Sequence, residues 1–385
     1  MIPLFGVAAE YKKIRKELRK AALEVLDSGH YILGPQTSAF ESEFASAMEA
    51  KHAISLSSGT DALEVALRAL GVGPGDEVIV PTFTFVATAA AVSMVGATPV
   101  FCDVDASTLN IGVKEIEAVL TPKTKAIIPV HLYGSPANMN EIMDLAGRRK
   151  LLVIEDCAQA HLARWQGKPV GSFGHIAAFS FYPSKNLGAL GDAGAITTND
   201  SVLADICLEI RNAGRGLSGP TYEYSKIAGN SRMAEIQAAL LRVKLKWLKE
   251  RTEKRIEVAK FYEKKFAKLP LISPPIGDGR TQSVFHLYII RTEKRDQLAN
   301  HLKEAGISCG VYYPLPLHRQ KCYQHLNLKA EAFPNAEKAS QTVLALPMHP
   351  FLSKKEMSQV AQAVTSFFKG SRQNLPQESV LTVSK

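Results

Sequence analysis

Short apolar runs alternate with helical stretches through the first half of the chain. The apolar runs that predict strands cover residues 53–56, 77–80, 98–102, 126–130, 151–155, 177–181 and 194–197. The stretches of helical periodicity between them cover residues 61–70, 85–95, 113–120 and 138–148. Strands that are apolar along nearly their whole length are typical of a mostly parallel sheet covered by helices on both faces. The pattern therefore predicts an α/β fold whose ligands bind beyond the carboxyl ends of the strands.

The remaining segments predict a helix before this sheet and a smaller domain after it. Residues 10–28 place Ile14, Leu18 and Val25 on one side of a helix, and residues 232–268 have the periodicity of one long helical region. After a proline-rich connector, the pattern predicts a strand, a helix and a second strand, at 284–290, 294–305 and 308–312. We expect a large domain that includes the N-terminal helix, over residues 1–250, and a smaller C-terminal α+β domain, over residues 251–370. Residues 371–385 should form a polar tail.

Composition and charge narrow the class of protein without identifying it. With 385 residues, 46% apolar and 22% charged, the chain has the composition of a two-domain globular protein. Its formal charge of +9 comes mainly from helical segments in which lysines alternate with glutamates, so we expect no nucleic-acid partner. We also expect no membrane association and no signal peptide. Five scattered cysteines without metal-ligand spacing suggest reduced thiols and a cytoplasmic location, and no metal site.

A lysine and an aspartate form the candidate chemistry of the chain. Lys185 lies in a loop of small residues after the predicted strand 177–181, and Asp156 ends the predicted strand 151–155. An amine that holds an aldehyde and an acid that keeps a ring nitrogen protonated are what pyridoxal 5'-phosphate (PLP) requires. Taken alone, such a pair is more often a solvated lysine and an aspartate that caps a turn.

Three neighbouring segments offer further candidates, each with a structural alternative. The segment 57–63 could receive a phosphate through Gly59, Thr60 and helix-start amides, or could be an ordinary helix cap. In segment 81–88, one phenylalanine could stack on a planar cofactor, or it could be a core aromatic. His161 could act in the site or serve as a structural hydrogen-bonding group.

Taken together, the motifs resemble the DegT/DnrJ/EryC1/StrS family of PLP-dependent sugar aminotransferases over residues 1–368. The segments that carry the resemblance are Ser58–Leu63, Pro74–Val78, Pro129–Gly134, Glu155–His161, Phe179–Gly188, Gly229–Met233, Glu235–Ala239, Tyr313–His318 and Leu346–Pro350. The resemblance implies the fold of type I PLP transferases, which is that of aspartate aminotransferase. It also implies a homodimer with shared active sites.

The resemblance assigns roles to individual residues. Lys185 would be the catalytic residue that holds the cofactor, and Asp156 would bind the pyridine nitrogen. The remaining cofactor contacts would be Gly59, Thr60 and Ser180 at the phosphate, Gln159 near the phenolic oxygen, Phe85 on the ring and Asn230 from the neighbouring subunit. The sugar nucleotide would contact Arg232, Tyr312, Tyr313 and His318. For Arg232 the structural alternative is an ion pair with Glu235, one helical turn further on.

The resulting expectation is an enzyme that transfers an amino group from L-glutamate to a keto group of a nucleotide-linked hexose, at C3 rather than C4. A PLP-dependent dehydratase or deoxygenase is the enzymatic alternative, although such relatives carry histidine in place of the lysine retained here as Lys185. A regulatory protein on the same fold is the non-enzymatic alternative. The chain departs from many relatives at residues 161–165, at Tyr312 and at residues 211–219, which bears on the sugar rather than on the cofactor.

Overall fold

The computed structural model describes residues 1–218, 220, 222–274 and 279–373. Its helices are α1 (Val7–Ser28), α2 (Pro35–Ala47), α3 (Gly59–Ala69), α4 (Ala87–Met94), α5 (Val113–Glu117), α6 (Met139–Arg149), α7 (Ser201–Arg211), α8 (Glu235–Leu245), α9 (Leu248–Phe266), α10 (Arg295–Glu304), α11 (Pro334–Thr342) and α12 (Lys354–Gln373). Its strands are β1 (His52–Leu56), β2 (Glu77–Pro81), β3 (Thr98–Cys102), β4 (Thr124–Ile127), β5 (Leu152–Asp156), β6 (Arg164–Trp165), β7 (Lys168–Pro169), β8 (Ile176–Ser180), β9 (Gly194–Thr198), β10 (Thr281–Gln282), β11 (Tyr288–Arg291) and β12 (Val343–Leu346).

A seven-stranded sheet with the order β1-β9-β8-β5-β4-β2-β3 forms the centre of the protein. The pairs β5–β8, β4–β5, β2–β4 and β2–β3 are parallel, whereas β9 runs antiparallel to both of its neighbours. Its strands are buried on both faces, as their apolar sequences require. This confirms the predicted mostly parallel α/β fold. Because β1, β2, β5 and β8 point the same way, their carboxyl ends lie along one edge of the sheet.

Helices cover this sheet, and a smaller two-stranded sheet lies in the C-terminal part. Strands β11 and β12 pair antiparallel, and α9, α10 and α12 pack against them in a separate apolar cluster. Ile2 belongs to that cluster as well. The predicted domain boundary at residue 250 falls inside α9, so one continuous helix crosses it. The division into domains stays a prediction.

Two predicted elements differ from those observed. The expected single helix over 232–268 is two helices, since the chain breaks between Leu245 and Leu248. The expected strand over 308–312 is wrong, because only Gly310 pairs there, in an isolated bridge with Ala345. The segment instead leaves the sheet and carries Tyr312 towards the large domain.

The expected polar tail begins later than predicted. Helix α12 extends to Gln373, and the rest of the expected tail lies outside the described residues. None of the helices in the described ranges has both the length and the apolar character needed to cross a membrane.

Candidate active site

Asp156 is a buried carboxylate at the carboxyl end of β5. Its Oδ2 accepts a hydrogen bond of 2.8 Å from the Thr88 hydroxyl, and its Oδ1 accepts one of 3.1 Å from the Ala158 amide. Burial raises the pKa of the carboxyl, against the lowering effect of those bonds and of the Lys185 ammonium. A buried acid of this kind is suited to a cationic partner such as a protonated ring nitrogen.

Lys185 lies in the loop that follows β8, close enough to Asp156 for their charges to interact. The loop is closed by backbone hydrogen bonds from Ala189 to Phe181, 2.7 Å, and from Lys185 to Tyr182, 2.8 Å. Burial lowers the pKa of the Lys185 amine to about 8, although the carboxylate of Asp156 opposes the shift. A lysine with a lowered pKa is partly neutral near physiological pH, which is the form that attacks a carbonyl group.

The loop between β1 and α3 forms a tight contact with the end of β8. A Cβ atom added to Gly59 would lie only 2.6 Å from the Ser180 Cβ, so only glycine allows the two segments to approach this closely. Ser58 caps α3 by accepting a hydrogen bond of 3.0 Å from the Asp61 amide. The first amides of the helix, at Gly59 and Thr60, remain available to an anion, since helix-start amides have no partner within the helix. Capping of α3 by Ser58 is therefore compatible with phosphate binding at the start of the same helix.

The two candidate phenylalanines have different environments. Phe83 is buried in the core, whereas Phe85 has 55% of its surface exposed. The Phe85 ring lies 6.2 Å from the ring of Tyr313 at an interplanar angle of 38°. Thr88, whose hydroxyl bonds to Asp156, follows Phe85 by about one helical turn. Of the two phenylalanines, Phe85 is therefore the exposed one and the one available to cover a bound ring.

Gln159 is held in a defined orientation by two tyrosines. Its Oε1 accepts a hydrogen bond of 2.6 Å from the Tyr133 amide, and its Nε2 donates one of 3.2 Å to the Tyr313 hydroxyl. The Tyr133 hydroxyl in turn donates to the carbonyl of Tyr312. These two bonds fix which end of the side-chain amide is oxygen and which is nitrogen, and the nitrogen keeps a second hydrogen to donate. Tyr133 was not among the predicted site residues, although it lies inside the motif 129–134.

Asn230 and Arg232 bond to each other and to Asn212. Arg232 donates from Nε to the Asn230 Oδ1, 2.8 Å, and from Nη1 to the Asn212 Oδ1, 3.0 Å. Helix α8 begins at Glu235 after Ala234, so Asn230 is not its cap. The amide nitrogen of the exposed Asn230 side chain is left to donate outwards.

The structural alternative for Arg232, an ion pair with Glu235, is not formed. The buried Glu235 carboxylate accepts hydrogen bonds from the amides at the start of α2, including those of Gly34, 2.9 Å, and Thr37, 3.1 Å. Glu235 therefore stabilises the start of another helix, and Arg232 keeps its two asparagine partners.

The two candidate histidines, His161 and His318, both contact other side chains in the interior of the protein. His161 packs between Phe44, Phe179 and Phe181, and burial together with the Lys185 charge lowers its pKa to about 3. It is therefore a neutral residue packed in the aromatic core, and among the described residues neither ring nitrogen has a hydrogen-bond partner of normal geometry, so the structural role is one of packing and not the hydrogen bonding expected.

His318 is buried, and both of its ring nitrogens are bonded. They bond to the Thr82 hydroxyl, 2.7 Å, and to Glu337, 2.9 Å. With neither nitrogen available, the predicted contact between His318 and the sugar lacks support in this geometry.

His131, Glu155 and Cys157 lie close enough together to raise the question of a metal site. Glu155 already accepts hydrogen bonds from His131, 3.1 Å, and from the amides of Gly171, Phe173 and Gly174. The other ring nitrogen of His131 accepts from the Ala137 amide, 3.1 Å. The ligand atoms of the carboxylate and the imidazole are thus engaged, which fits a structural anchor beneath β5 and not a metal centre.

The family model for DegT/DnrJ/EryC1/StrS aminotransferases matches residues 12–365. The chain belongs to this family. It is 44% identical to a pleiotropic regulatory protein of Geobacillus stearothermophilus over 96% of this chain and 99% of that one. It is also 44% identical to a UDP-N-acetyl-3-dehydro-alpha-D-glucosamine 3-aminotransferase of Acidithiobacillus ferrooxidans, over 94% of this chain and 97% of the relative.

Solved structures extend the likeness to three dimensions. The chain matches DesV of S. venezuelae, solved in complex with a ketimine intermediate, with a TM-score of 0.92 and 42% identity over 96% of this chain and 98% of the other. These findings confirm the predicted family, the type I fold and a PLP-dependent aminotransferase. The site fits that cofactor, since the Lys185 amine, the buried Asp156 carboxylate and the close approach of Gly59 to Ser180 match its aldehyde, ring nitrogen and phosphate.

Proposed function

We propose that this protein transfers an amino group from L-glutamate to the C3 keto group of a nucleotide-linked hexose, as a step in amino-sugar biosynthesis. The observation that carries the chemistry is the pairing of the buried Asp156 carboxylate with the Lys185 amine at the carboxyl edge of the sheet. The substrate class and the carbon rest on the relatives, since the Acidithiobacillus enzyme is named for a 3-dehydro nucleotide sugar.

Bound PLP supplies an aldehyde that takes up amino groups and a ring that withdraws electrons from the breaking bond. Asp156 would hold a proton on the ring nitrogen, and the Thr88 hydroxyl and Ala158 amide keep the carboxylate in place for this. Lys185 would first hold the cofactor and then, once displaced by a substrate amine, move a proton with its Nζ. Its lowered pKa suits both tasks because the neutral amine is accessible near pH 8.

The remaining cofactor contacts position the ring and the phosphate. The helix-start amides of Gly59 and Thr60, with Ser180 beside them, would bind the phosphate. Phe85 would cover the ring, and the Gln159 amide nitrogen would donate to the phenolic oxygen. The bonds that hold Gln159 to Tyr133 and Tyr313 support this orientation.

We further propose that the working unit is a homodimer in which Asn230 serves the neighbouring site. Two features support this. The oxygen of the Asn230 amide is bonded to Arg232, which leaves the nitrogen to donate elsewhere, and large apolar side chains of the chain are exposed, including Tyr182, Leu190 and Ile227. A second copy of the chain would cover such side chains.

We propose a cytoplasmic location on the grounds that the five cysteines are free.

The sugar nucleotide is assigned to Tyr312 and Tyr313 and, since Arg232 is bonded to Asn230, to the Arg232 that the neighbouring subunit contributes together with its Asn230. Tyr312 and Tyr313 are partly buried, and Tyr313 adjoins Gln159 and Phe85. Arg232 offers a planar cation for a diphosphate or carboxylate in addition to its asparagine contacts. His318 stays outside this set, since its ring nitrogens are engaged.

The test of the proposal combines absorbance with a substrate panel. Purified protein should take up PLP with visible absorbance, and glutamate should convert the bound cofactor. Assays with paired 3-keto and 4-keto sugar nucleotides should then give faster amination of the 3-keto compound. A protein that turns over only 4-keto sugars would overturn the assigned carbon, and one that binds no PLP would overturn the enzyme.

A regulatory function is the second candidate, because the Geobacillus relative is named as a pleiotropic regulatory protein. That name does not conflict with an intact PLP site, so the two functions need separate measurements. A regulator without enzymatic activity would leave every sugar in the panel unchanged even when PLP is bound. The dehydratase alternative is disfavoured by Lys185, which is the residue those relatives replace.

A further inference from the structure

A buried lysine lies directly behind the loop that carries Lys185. Lys244, near the end of α8, is 1% exposed. Its Nζ donates a hydrogen bond of 2.6 Å to the carbonyl of Gly188 and pairs with the Glu10 carboxylate at 2.6 Å. Lysine is among the residues least often buried, so an ammonium placed here needs both partners.

Gly188 is the point at which the Lys185 loop closes on itself. A Cβ atom added there would lie 2.4 Å from the carbonyl oxygen of Pro183, so the chain can make this turn only with glycine. The next residue, Ala189, donates to Phe181 at the base of the loop. The carbonyl that Lys244 holds is therefore part of the turn that sets the direction of Lys185, three residues earlier.

Glu10 neutralises the buried ammonium from the first turn of α1. Its other carboxylate oxygen pairs with Arg251 of α9, so one acid joins three helices. A buried ammonium without its carboxylate partner is costly, so removal of the Glu10 carboxylate should loosen the hold of Lys244 on the Gly188 carbonyl.

We propose that Lys244 is a positioning residue for Lys185, and that Glu10 keeps Lys244 in place. Lys244 fixes the Gly188 carbonyl, which holds the loop in the closed turn that presents the Lys185 amine towards Asp156. The catalytic value of this orientation of Lys185 rests on the proposed function. The contact by which Lys244 fixes the loop does not depend on that function. The inference adds α1 and α8 to the parts of the chain on which the active lysine depends.

The test compares Lys244→Met and Glu10→Gln with a matched control, Tyr262→Phe. The control removes a buried side-chain hydrogen bond to a backbone carbonyl, that of Pro347 at 3.1 Å, at a place remote from the loop in sequence and in a different apolar cluster. Hydrogen exchange of the PLP-free proteins should show faster exchange in peptides covering 182–190 for the first two variants only. The Glu10→Gln variant keeps the size of the side chain and guards against a failure of Lys244→Met to fold.

The second measurement is the rate at which the PLP-free protein gains the absorbance of bound cofactor. We expect it to fall about tenfold in both variants, as the loss of a charge-assisted hydrogen bond would produce, and to stay unchanged in Tyr262→Phe. Equal exchange and equal uptake in all three variants would overturn the inference. If the wild-type protein takes up no PLP, the proposed function fails, and the exchange of peptides 182–190 still decides whether Lys244 holds the loop.

Discussion

The Nε of Arg232 donates a hydrogen bond of 2.8 Å to the Oδ1 of Asn230, and this bond sets the direction of the asparagine amide. With the oxygen turned towards Arg232, the amide nitrogen lies at the other end of the group and is a donor suited to a phosphate. Asn212 receives a second bond from the same guanidinium, so Arg232 orients two asparagines at once. Arg232 therefore acts on Asn230 whether or not it also contacts the sugar.

The first prediction concerns which subunit Asn230 serves. A mixed dimer of Lys185→Ala and Asn230→Ala chains should recover about half of the wild-type activity, because one of its two sites then carries both lesions and the other carries none. The measurement is the steady-state rate after mixing equal amounts of the two inactive proteins; random exchange makes about half of the dimers mixed, so the whole mixture should reach about a quarter of the wild-type rate. Absence of recovery, with subunit exchange shown independently, would place Asn230 in its own subunit's site or outside any site.

The second prediction concerns Lys185 itself. Lys185→Ala should abolish transamination without lowering the melting temperature, because the residue holds the cofactor and moves the proton and its loss leaves the fold intact. General acid–base catalysis alone contributes about 10²–10⁴-fold, so the loss should be at least of this size. Lys254→Ala, in an exposed pair with Glu250 on α9, is the control and should keep full activity. Turnover close to normal in Lys185→Ala would refute the assignment.

The third prediction separates the chemistry from cofactor binding. Asp156→Asn should retain PLP, because the phosphate contacts at Gly59, Thr60 and Ser180 are untouched, while kcat falls strongly. An amide cannot hold the positive charge of the ring nitrogen as a carboxylate does. Absorbance of the bound cofactor and kcat are measured on the same preparation. An unchanged kcat would mean that another residue is the partner of the ring nitrogen.

The fourth prediction follows from the lowered pKa of Lys185, about 8 against an ordinary value of 10.5. The unfolded chain binds more protons than the folded chain between these values, so the stability of the PLP-free protein should rise as pH increases from about 8 to 10.5. The same titration should make PLP uptake faster as pH rises towards 8. Denaturation midpoints of wild type and Lys185→Met, compared across this range, isolate the contribution, and parallel curves would contradict it.

The fifth prediction concerns the contact between Gly59 and Ser180. Gly59→Ala places a methyl group 2.6 Å from the Ser180 Cβ, which should force the two loops apart and lower the affinity for PLP by about tenfold or more. Gly147→Ala is the matched control, because that position has open space around it within α6. The control should bind PLP normally and be slightly stabilised. Equal PLP affinity in both variants would show that the close approach does not shape the phosphate site.

The chain's local patterns were sufficient for the sheet and for the identity of the cofactor. Apolar runs such as 151–155 and 177–181 predict buried parallel strands because both of their faces must be apolar. The position of Asp156 and Lys185 just beyond such runs places them at the same edge, since parallel strands share a carboxyl edge. The motif resemblance then assigned their roles. These inferences need only the order of residues along the chain.

Partners across long sequence distances needed the tertiary structure. Arg232 was expected to meet Glu235 one turn away or the substrate, and it bonds Asn212, because Glu235 is drawn to the start of α2. His318 was expected at the sugar, and it is bonded to Thr82 and Glu337. Hydrogen bonds of this kind depend on which helices and loops pack together, and no spacing along the chain encodes that.

Two further features depend on the tertiary structure and not on the local sequence. They are the break between α8 and α9 and the contacts that support the Lys185 loop. No glycine or proline marks the break after Leu245, because the change of direction follows from packing first on one apolar cluster and then on another. Lys244 and Glu10 look like members of charged helical surfaces in the sequence, yet they meet in the interior behind Gly188. The sequence by itself determined the strands, the motifs and the chemistry, whereas only the folded chain decided which buried charges hold that chemistry in place.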